Sequence, residues 1–313
     1  MTDIFPTPYR ISTITATGCV GTAINLDVLY NCLQVQSQYK EEEEEDGIVY
    51  VEYGKKKSET IFKGFSKKYA VNRRKIKPTK RFDNQVTIVY RNTENSNLNI
   101  KTFRNGNVQI TGIKSIDQGS NVVDKMIEIL QRIHDTLDPS VIENVNDLKN
   151  TNYKIRLINT DYKVGFGIRR DILHRILQHE CGNICDFEPV IYPGVKLHYF
   201  YNTARSKKDG LCVCSKKCND LKGGEGCGDS NCKKITIAIF QSGCIIITGS
   251  QSKDQIDECY EFINDILYRN KDRIEKKNLL PLLKPEAPQP KKIVMISKAK
   301  IMKAQADYQS GTV

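Results

Sequence analysis

The chain has 313 residues and a net charge of +11, from 48 basic and 37 acidic side chains. This length can hold two small domains with cores of their own. The sequence contains neither an apolar run of membrane-spanning length nor a signal peptide, which argues against membrane insertion and secretion. Eleven Cys residues without an export signal favour reduced thiols or metal ligands over a disulfide framework.

A fifteen-residue pattern occurs twice, at 103–117 and 240–254, with seven identical positions at an offset of 137. An amphipathic helix pattern follows each copy, and a strand and a helix precede each copy at an offset of 144. Two copies, where a solenoid needs three or more, predict a pseudo-symmetric body of two halves.

Changes of composition divide the chain into segments. The predicted segments are a disordered lead 1–8, a first repeat 9–135 with a charged insertion 37–79, a linker 136–151, a second repeat 152–270 with a Cys-rich insertion 202–233, and a Pro- and Lys-rich tail 271–313.

The charged insertion contains an acidic block, 41–46, and a basic segment between Lys55 and Arg81. The basic segment holds nine Lys and three Arg against one acid, Glu59, a surplus equal to the net charge of the whole chain. Such concentrated charge indicates a polyanionic partner such as nucleic acid. The alternative is a solvated, Lys-rich loop.

The hairpin of the second repeat predicts an uncovered sheet face. Residues 235, 237, 239, 245 and 247 are all Ile and would lie under the following helix, because side chains alternate between the two faces of a strand. Ala238, Phe240, Ile246 and Thr248 then lie on the opposite face, for which no helix remains. A bare, partly apolar sheet face is typical of a binding surface.

Several segments resemble motifs of the TATA-box-binding protein family. They are 239–249 (IFQSGCIIITG, similar to I-F-x-S-G-K-x-V-x-T-G), 187–194 (FEPVIYPG, similar to Y-E-P-E-L-F-P-G), 80–82 (KRF, similar to P-K-R-F) and the second-repeat opening from 154 to 169. The resemblance implies an α+β fold, a saddle of two pseudo-symmetric repeats that share a curved antiparallel β-sheet, with helices on the convex face.

The long insertions and the composition rich in Asn, Lys and Ile resemble the divergent family members of large nucleocytoplasmic DNA viruses. The resemblance implies a general transcription initiation factor that binds A·T-rich promoter DNA as a monomer, with a TFIIB-like factor and the RNA polymerase machinery as partners. The location implied is the nucleus, a cytoplasmic viral factory or the virion.

The resemblance also implies four aromatic wedges that enter the minor groove and kink the duplex. They are Phe82 with Phe103 in the first repeat and Tyr192 with Phe240 in the second. Rings that only pack the ends of the sheet are the alternative interpretation.

Further DNA contacts are implied between the wedges and at the rim. The candidates are Thr111, Thr248, Ala238, Ile246, Leu157 and Asn159 on the sheet, and Arg81, Lys114 and Arg169 for phosphates. The family's Asn at the pseudo-dyad is replaced by Leu157 in the second repeat, and Thr13 or Thr15 stands at the first-repeat position.

Polar residues replace apolar ones in the first repeat. Lys101 and Gln109 stand where the family is apolar, so we expect the preference for TATA sequences to weaken or change.

The second insertion carries five Cys residues within 21 positions: Cys212, Cys214, Cys218, Cys227 and Cys232. Four thiolates around Zn²⁺ would hold together a loop that has no core of its own. The alternatives are a loop of reduced thiols or a disulfide formed in a virion or on purification.

The sequence contains no phosphate-binding or catalytic motif, and its four His residues fall in different predicted elements, which argues against an enzyme. The alternative functions are a nucleic-acid-gripping module or a protein-interaction saddle without TATA specificity.

Overall fold

A computed structural model describes residues 6–36, 47–54, 60–64, 84–91, 97–212, 214 and 232–276. Several predicted features lie outside these residues: the acidic block, most of the basic segment with Arg81 and Phe82, the cysteines Cys218 and Cys227, and the tail beyond 276.

One antiparallel sheet contains all eleven strands of the described chain. The strands are β1 Arg10–Cys19, β2 Gly47–Gly54, β3 Thr60–Gly64, β4 Gln85–Arg91, β5 Asn97–Phe103, β6 Asn107–Ile113, β7 Thr151–Lys163, β8 Ile184–Asp186, β9 Val195–Tyr201, β10 Lys233–Ile239 and β11 Cys244–Ser250. The helices in the same residues are α1 Leu26–Cys32, α2 Ile116–Thr136, α3 Arg170–Arg175, α4 Lys253–Arg269 and α5 Lys271–Ile274, with a π-helical turn at Ile176–Glu180 after α3.

The order of the strands is symmetric about the β1–β7 pair. From β1 the first half runs outward through β6, β5, β4 and β2, and from β7 the second half runs through β11, β10, β9 and β8. β3 is an additional strand at the edge of the first half. Both β2 and β3 fall within the predicted charged insertion, 37–79, so part of that insertion belongs to the sheet. The predicted fold class, two pseudo-symmetric repeats that share one antiparallel sheet, is confirmed.

The register of β1 against β7 locates the pseudo-twofold axis. Ile14 pairs with Ile158, and on either side of this pair Thr13 lies opposite Asn159 and Thr15 opposite Leu157. The offset of 144 found in the sequence relates Thr13 to Leu157 and Thr15 to Asn159, so the pseudo-twofold axis converts each of these two pairs into the other.

The two repeated hairpins turn at equivalent glycines. Gly106 has a φ of 78° and Gly243 a φ of 77°. A Cβ at either position would lie 2.2 Å from a carbonyl oxygen, that of Thr22 in the first repeat and that of Phe166 in the second. Only Gly fits there, because other residues disfavour the positive φ and the backbone leaves no room for a side chain.

The long helices begin in the same way in both repeats. The Gln118 Oε1 accepts a hydrogen bond from the backbone N–H of Lys114 at 2.8 Å, and the Gln255 Oε1 accepts one from Gln251 at 2.7 Å. Each bond satisfies a backbone donor just before the first helical turn, where no earlier carbonyl is available.

Both long helices pack on the same face of the sheet. In α4, Glu258 accepts a hydrogen bond from Tyr199 of β9 at 2.7 Å, and Phe262 packs against the Tyr199 ring at a centroid distance of 4.9 Å. In α2 the apolar stripe predicted from the sequence is buried, and Val123 packs so closely on Gly18 of β1 that a Cβ there would lie 2.8 Å from it.

The second repeat continues to Lys276, six residues beyond its expected end, because α5 completes its core. Ile274 is fully buried, and its carbonyl accepts the N–H of Arg169 at 2.7 Å. The expected linker is also ordered, since Val141 is fully buried. None of the helices in the described ranges is both long and apolar enough to cross a bilayer.

Candidate nucleic-acid interface

The face of the sheet opposite the helices carries the sheet residues predicted to contact DNA; we call it the open face. In the second repeat, Thr248 of β11 lies opposite Asn159 of β7 and Thr236 of β10. In the next row Ile246 lies opposite Ala238. Most of these side chains are partly exposed, whereas Ala238 is only 3% exposed and offers little surface for contact.

The pseudo-dyad of the open face is polar. The Thr248 hydroxyl donates a hydrogen bond to the Asn159 Oδ1. In the first repeat Thr15 pairs with Thr111, just as Asn159 pairs with Thr248. Thr15 is therefore the counterpart of Asn159, and Thr13 is the counterpart of Leu157.

Two of the predicted wedges meet at one end of the open face. The rings of Tyr192 and Phe240 lie 5.7 Å apart at an interplanar angle of 57°, and both remain partly exposed. A Cβ at Gly194 would lie 2.9 Å from the Tyr192 ring and 3.2 Å from the Phe240 ring. The Gly at this position therefore lets the two rings come together beside the chain.

Arg170, which the sequence analysis missed, joins the two segments that carry these rings. Its guanidinium donates to the carbonyl of Pro193 and, at 3.3 Å, to the Gln241 Oε1, and lies 5.2 Å from the centroid of the Phe187 ring. The repeat contained a signal for it, because the offset of 144 aligns Arg170 with the buried Leu26. A cation at a position where the other repeat has a core residue indicates a special role.

Two exposed apolar residues precede Tyr192. Val190 is 98% and Ile191 is 84% exposed, whereas most large apolar side chains of the described chain are buried.

In the first repeat Phe103 borders a pocket of about 560 Å³. Polar side chains also line this pocket, among them Thr17, Asn84, Arg104, Gln109, Asn152 and Arg156. The Arg156 Nε donates to the Thr17 Oγ1 at 2.8 Å. Phe82, the predicted partner of Phe103, lies outside the described residues, so the structure shows only one ring of this pair.

Lys114 and Arg169, predicted to bind phosphates, lie on the surface at different places. The Lys114 Nζ donates to the carbonyl of Ser12 at the edge of β1, and Arg169 precedes α3. Both are exposed. The third candidate, Arg81, lies outside the described residues.

A second group of cations, also missed from the sequence, lies on the open face of the second repeat. Lys234 of β10 lies opposite Phe200, two residues before the Thr236 that pairs with His198. Lys196 lies opposite Ala238, and its Nζ is 4.2 Å from the centroid of the Tyr192 ring. Burial and the charges of Lys234 and Lys196 lower the pKa of His198, while Asp186, 4.0 Å away, opposes the shift.

Three of the five clustered cysteines come together at the outer end of the second repeat. The sulfur atoms of Cys212, Cys214 and Cys232 all lie within 4.8 Å of one another, and those of Cys214 and Cys232 are 3.6 Å apart. The Asn202 Nδ2 donates to the Cys232 sulfur at 3.4 Å. This triad could hold a metal ion.

The cysteine triad packs on Phe200, which is only 3% exposed. Phe200 lies two residues after His198 in β9, so the alternation of side chains places it on the open face. The triad therefore covers the outer end of that face.

The comparisons with known proteins agree on one family. A family model described as "Transcription factor TFIID (or TATA-binding protein, TBP)" matches residues 229–270. A protein of Acanthamoeba polyphaga mimivirus, "TATA-box-binding protein-like", is 32% identical over 287 residues, which span 87% of this chain and 68% of that protein. This chain belongs to the TATA-box-binding protein (TBP) family.

A solved TBP from Methanococcus jannaschii aligns with 85% of this chain and 99% of its own, at 16% identity and a TM-score of 0.44. Membership of the TBP family gives the chain a DNA-binding role in transcription, and the family is non-enzymatic. The resemblance stated from the motifs is confirmed.

Proposed function

We propose that this TBP-family protein is a general transcription initiation factor that binds promoter DNA in the minor groove with its open face and bends it. The observation that carries this proposal is the Tyr192–Phe240 pair, two partly exposed rings side by side at the end of the open face. Phe103 is the proposed first-repeat wedge.

A flat apolar ring suits this task because it replaces the stacking that two bases lose when a step is opened. Unstacking costs about a few kcal/mol per step, and the bent duplex then contacts more of the protein. Arg170 bonds to the segments on which the two rings stand, and Lys196, 4.2 Å from the Tyr192 ring centroid, is proposed to lie near the phosphates. Lys114 and Arg169 are proposed as further phosphate contacts.

A bending measurement on an A·T-rich duplex, by fluorescence energy transfer between its ends, tests the proposal. We expect wild-type protein to bring the ends together and Phe240→Ala to reduce both the bend and the affinity, the latter on the order of tenfold. Leu137→Ala is the control, because Leu137 is 55% exposed and follows α2 on the helix side. Binding of wild-type protein without bending would support the alternative, a gripping or protein-interaction module without TATA specificity.

The partners follow from the proposed role. We propose a TFIIB-like factor and the RNA polymerase machinery on the surfaces that DNA leaves free, one protein molecule per promoter, and action in the nucleus or in a cytoplasmic viral factory. Co-purification of polymerase subunits with the tagged protein from infected cells is the direct check, since a DNA-gripping module of another complex would bring down different proteins.

We also infer that the cysteine triad binds a structural Zn²⁺. A tetrahedral site with Zn–S bonds of about 2.3 Å has sulfur atoms about 3.8 Å apart, close to the 3.6 Å between Cys214 and Cys232. A disulfide between them would need about 2.05 Å. Thiolates select soft or borderline metals, and a metal ion would anchor an insertion whose described core is little more than Phe200.

Elemental analysis of protein purified under reducing, anaerobic conditions tests the metal site. We expect about one zinc per chain in wild-type protein, and a large loss in Cys232→Ser. Cys19→Ser is the matched control, because Cys19 lies in β1, away from the triad, and its sulfur accepts the N–H of Gly21 at 3.4 Å. Wild-type protein free of zinc, with no thiolate absorption band after Co²⁺ is added, would overturn the inference.

A further inference from the structure

We propose that the two halves of the open face discriminate base pairs differently: Lys101 and Gln109 make the first half tolerant of G·C pairs, whereas the second half accepts only A·T. This inference rests on the proposed minor-groove binding and concerns which sequences are bound.

The register of the two hairpins permits a comparison residue by residue. Gln109 of β6 lies opposite Lys101 of β5, and 137 positions later Ile246 of β11 lies opposite Ala238 of β10. The row nearer the pseudo-dyad is polar in both halves, with Thr111 in one and Thr248 in the other. The two halves therefore differ most in a single row of the sheet.

The chemistry of the minor groove explains how this row can affect discrimination between A·T and G·C pairs. Every base pair presents acceptors there, but only G·C adds a donor, the guanine N2 amino group. Against Ile246 and Ala238 this amino group would lose water and find no acceptor, which costs binding energy. Against Gln109 it finds the side-chain amide oxygen, while the Lys101 ammonium donates to acceptors that all base pairs share.

The surroundings of the first-half row are also polar. Gln109 and Lys101 are both partly exposed, and Gln109 lines the pocket beside Phe103. Thr17, opposite Gln109 on β1, is held by Arg156. In the second half the equivalent of Thr17 is Asp161, which lies opposite Ile246 and is paired with Arg10 at 2.8 Å. Arg10 engages one oxygen of this carboxylate and the other can still accept a hydrogen bond, so the discrimination is assigned to the Ile246–Ala238 pair alone.

Three duplexes separate the two halves without fixing the orientation of the protein. One is all A·T, one carries a G·C pair in one half, and one carries G·C pairs at matching positions in both halves, with the position walked along the site. Wild-type protein can turn its tolerant half toward a single G·C pair. We therefore expect the first two duplexes to bind similarly and the third to bind on the order of tenfold more weakly.

Two variants test the assignment to residues. Lys101→Ala with Gln109→Ile copies the second-half row into the first, and we expect it to bind the one-sided G·C duplex on the order of tenfold more weakly than the all-A·T duplex. Ile246→Gln gives the second half an amide, and we expect the third duplex to recover. Thermal melting curves show whether each variant is folded, and Leu137→Ala is the control for substitution.

The outcomes distinguish this inference from the proposed function. If none of the duplexes is bent, the proposed function fails and the inference fails with it. If the all-A·T duplex is bent but one-sided and two-sided G·C pairs weaken binding in equal steps, the function stands and the inference is overturned. The same holds if the double variant keeps the wild-type ranking.

Discussion

Single residues of this protein act through the neighbours that fix their position. Arg170 does not need to contact DNA to matter, because it bonds both to Pro193 beside Tyr192 and to Gln241 beside Phe240. These bonds connect the two chain segments whose rings form the proposed wedge. A ring held in this way loses less conformational freedom on binding than a mobile one.

His198 predicts a pH dependence of stability. Burial and the charges of Lys234 and Lys196 lower its pKa in the folded state below the usual 6.5, against the opposing charge of Asp186. The unfolded chain therefore binds the proton more readily, and stability is lost as the pH falls below about 6.5. We expect denaturant unfolding between pH 7.5 and pH 5.5 to show a larger loss for wild-type protein than for His198→Asn. Equal losses in the two proteins would contradict this account.

Short elements complete the core of the second repeat. α5 is a single turn, yet Ile274 is fully buried, and the N–H of Lys276 donates to the Gly167 carbonyl at 2.8 Å. These contacts join α5 to the chain segment before α3. The element therefore belongs to the second repeat, although a four-residue helix has little stability of its own.

Substitution of Ile274 measures how much α5 contributes to the stability of the protein. Ile274→Ala removes a fully buried side chain, so we expect the free energy of unfolding to fall by about 2–5 kcal/mol. Ile116→Ala makes the same chemical change at a residue that is 44% exposed, and it should cost far less. Urea unfolding of the two variants measures both values, and a similar small loss for both would show that α5 is dispensable.

At the scale of the whole molecule, two similar halves present unequal surfaces to one ligand. The helix faces of the two hairpins match closely, since Ile100, Val108 and Ile110 are buried in the same register as Ile237, Ile245 and Ile247. Leu98 and Thr102 stand where the second hairpin has Ile235 and Ile239. On the open face the first half has Gln109 opposite Lys101, where the second half has Ile246 opposite Ala238. The core keeps the halves alike because packing tolerates few changes, whereas the open face is free to diverge.

Much of this architecture is readable along the chain. Repeats at offsets of 137 and 144 indicate two equivalent halves, because each half must bury a similar apolar helix stripe against the shared sheet. Alternation in 235–248 separates the helix face from the open face, since successive side chains in a strand point to opposite sides. The motifs around Tyr192 and Phe240 implied the family, which is confirmed, and the wedge positions, which remain a proposal.

Other features depend on contacts between segments that are distant in sequence. The choice of Thr15 over Thr13 as the counterpart of Asn159 is decided by strand pairing, because Thr15 lies opposite Thr111 and Asn159 lies opposite Thr248. Arg170 reaches residues 23 and 71 positions away, and the Cys214–Cys232 contact spans 18. Local sequence patterns report periodicity within an element, but which side chains converge is fixed by packing between elements, and packing exists only in the folded chain.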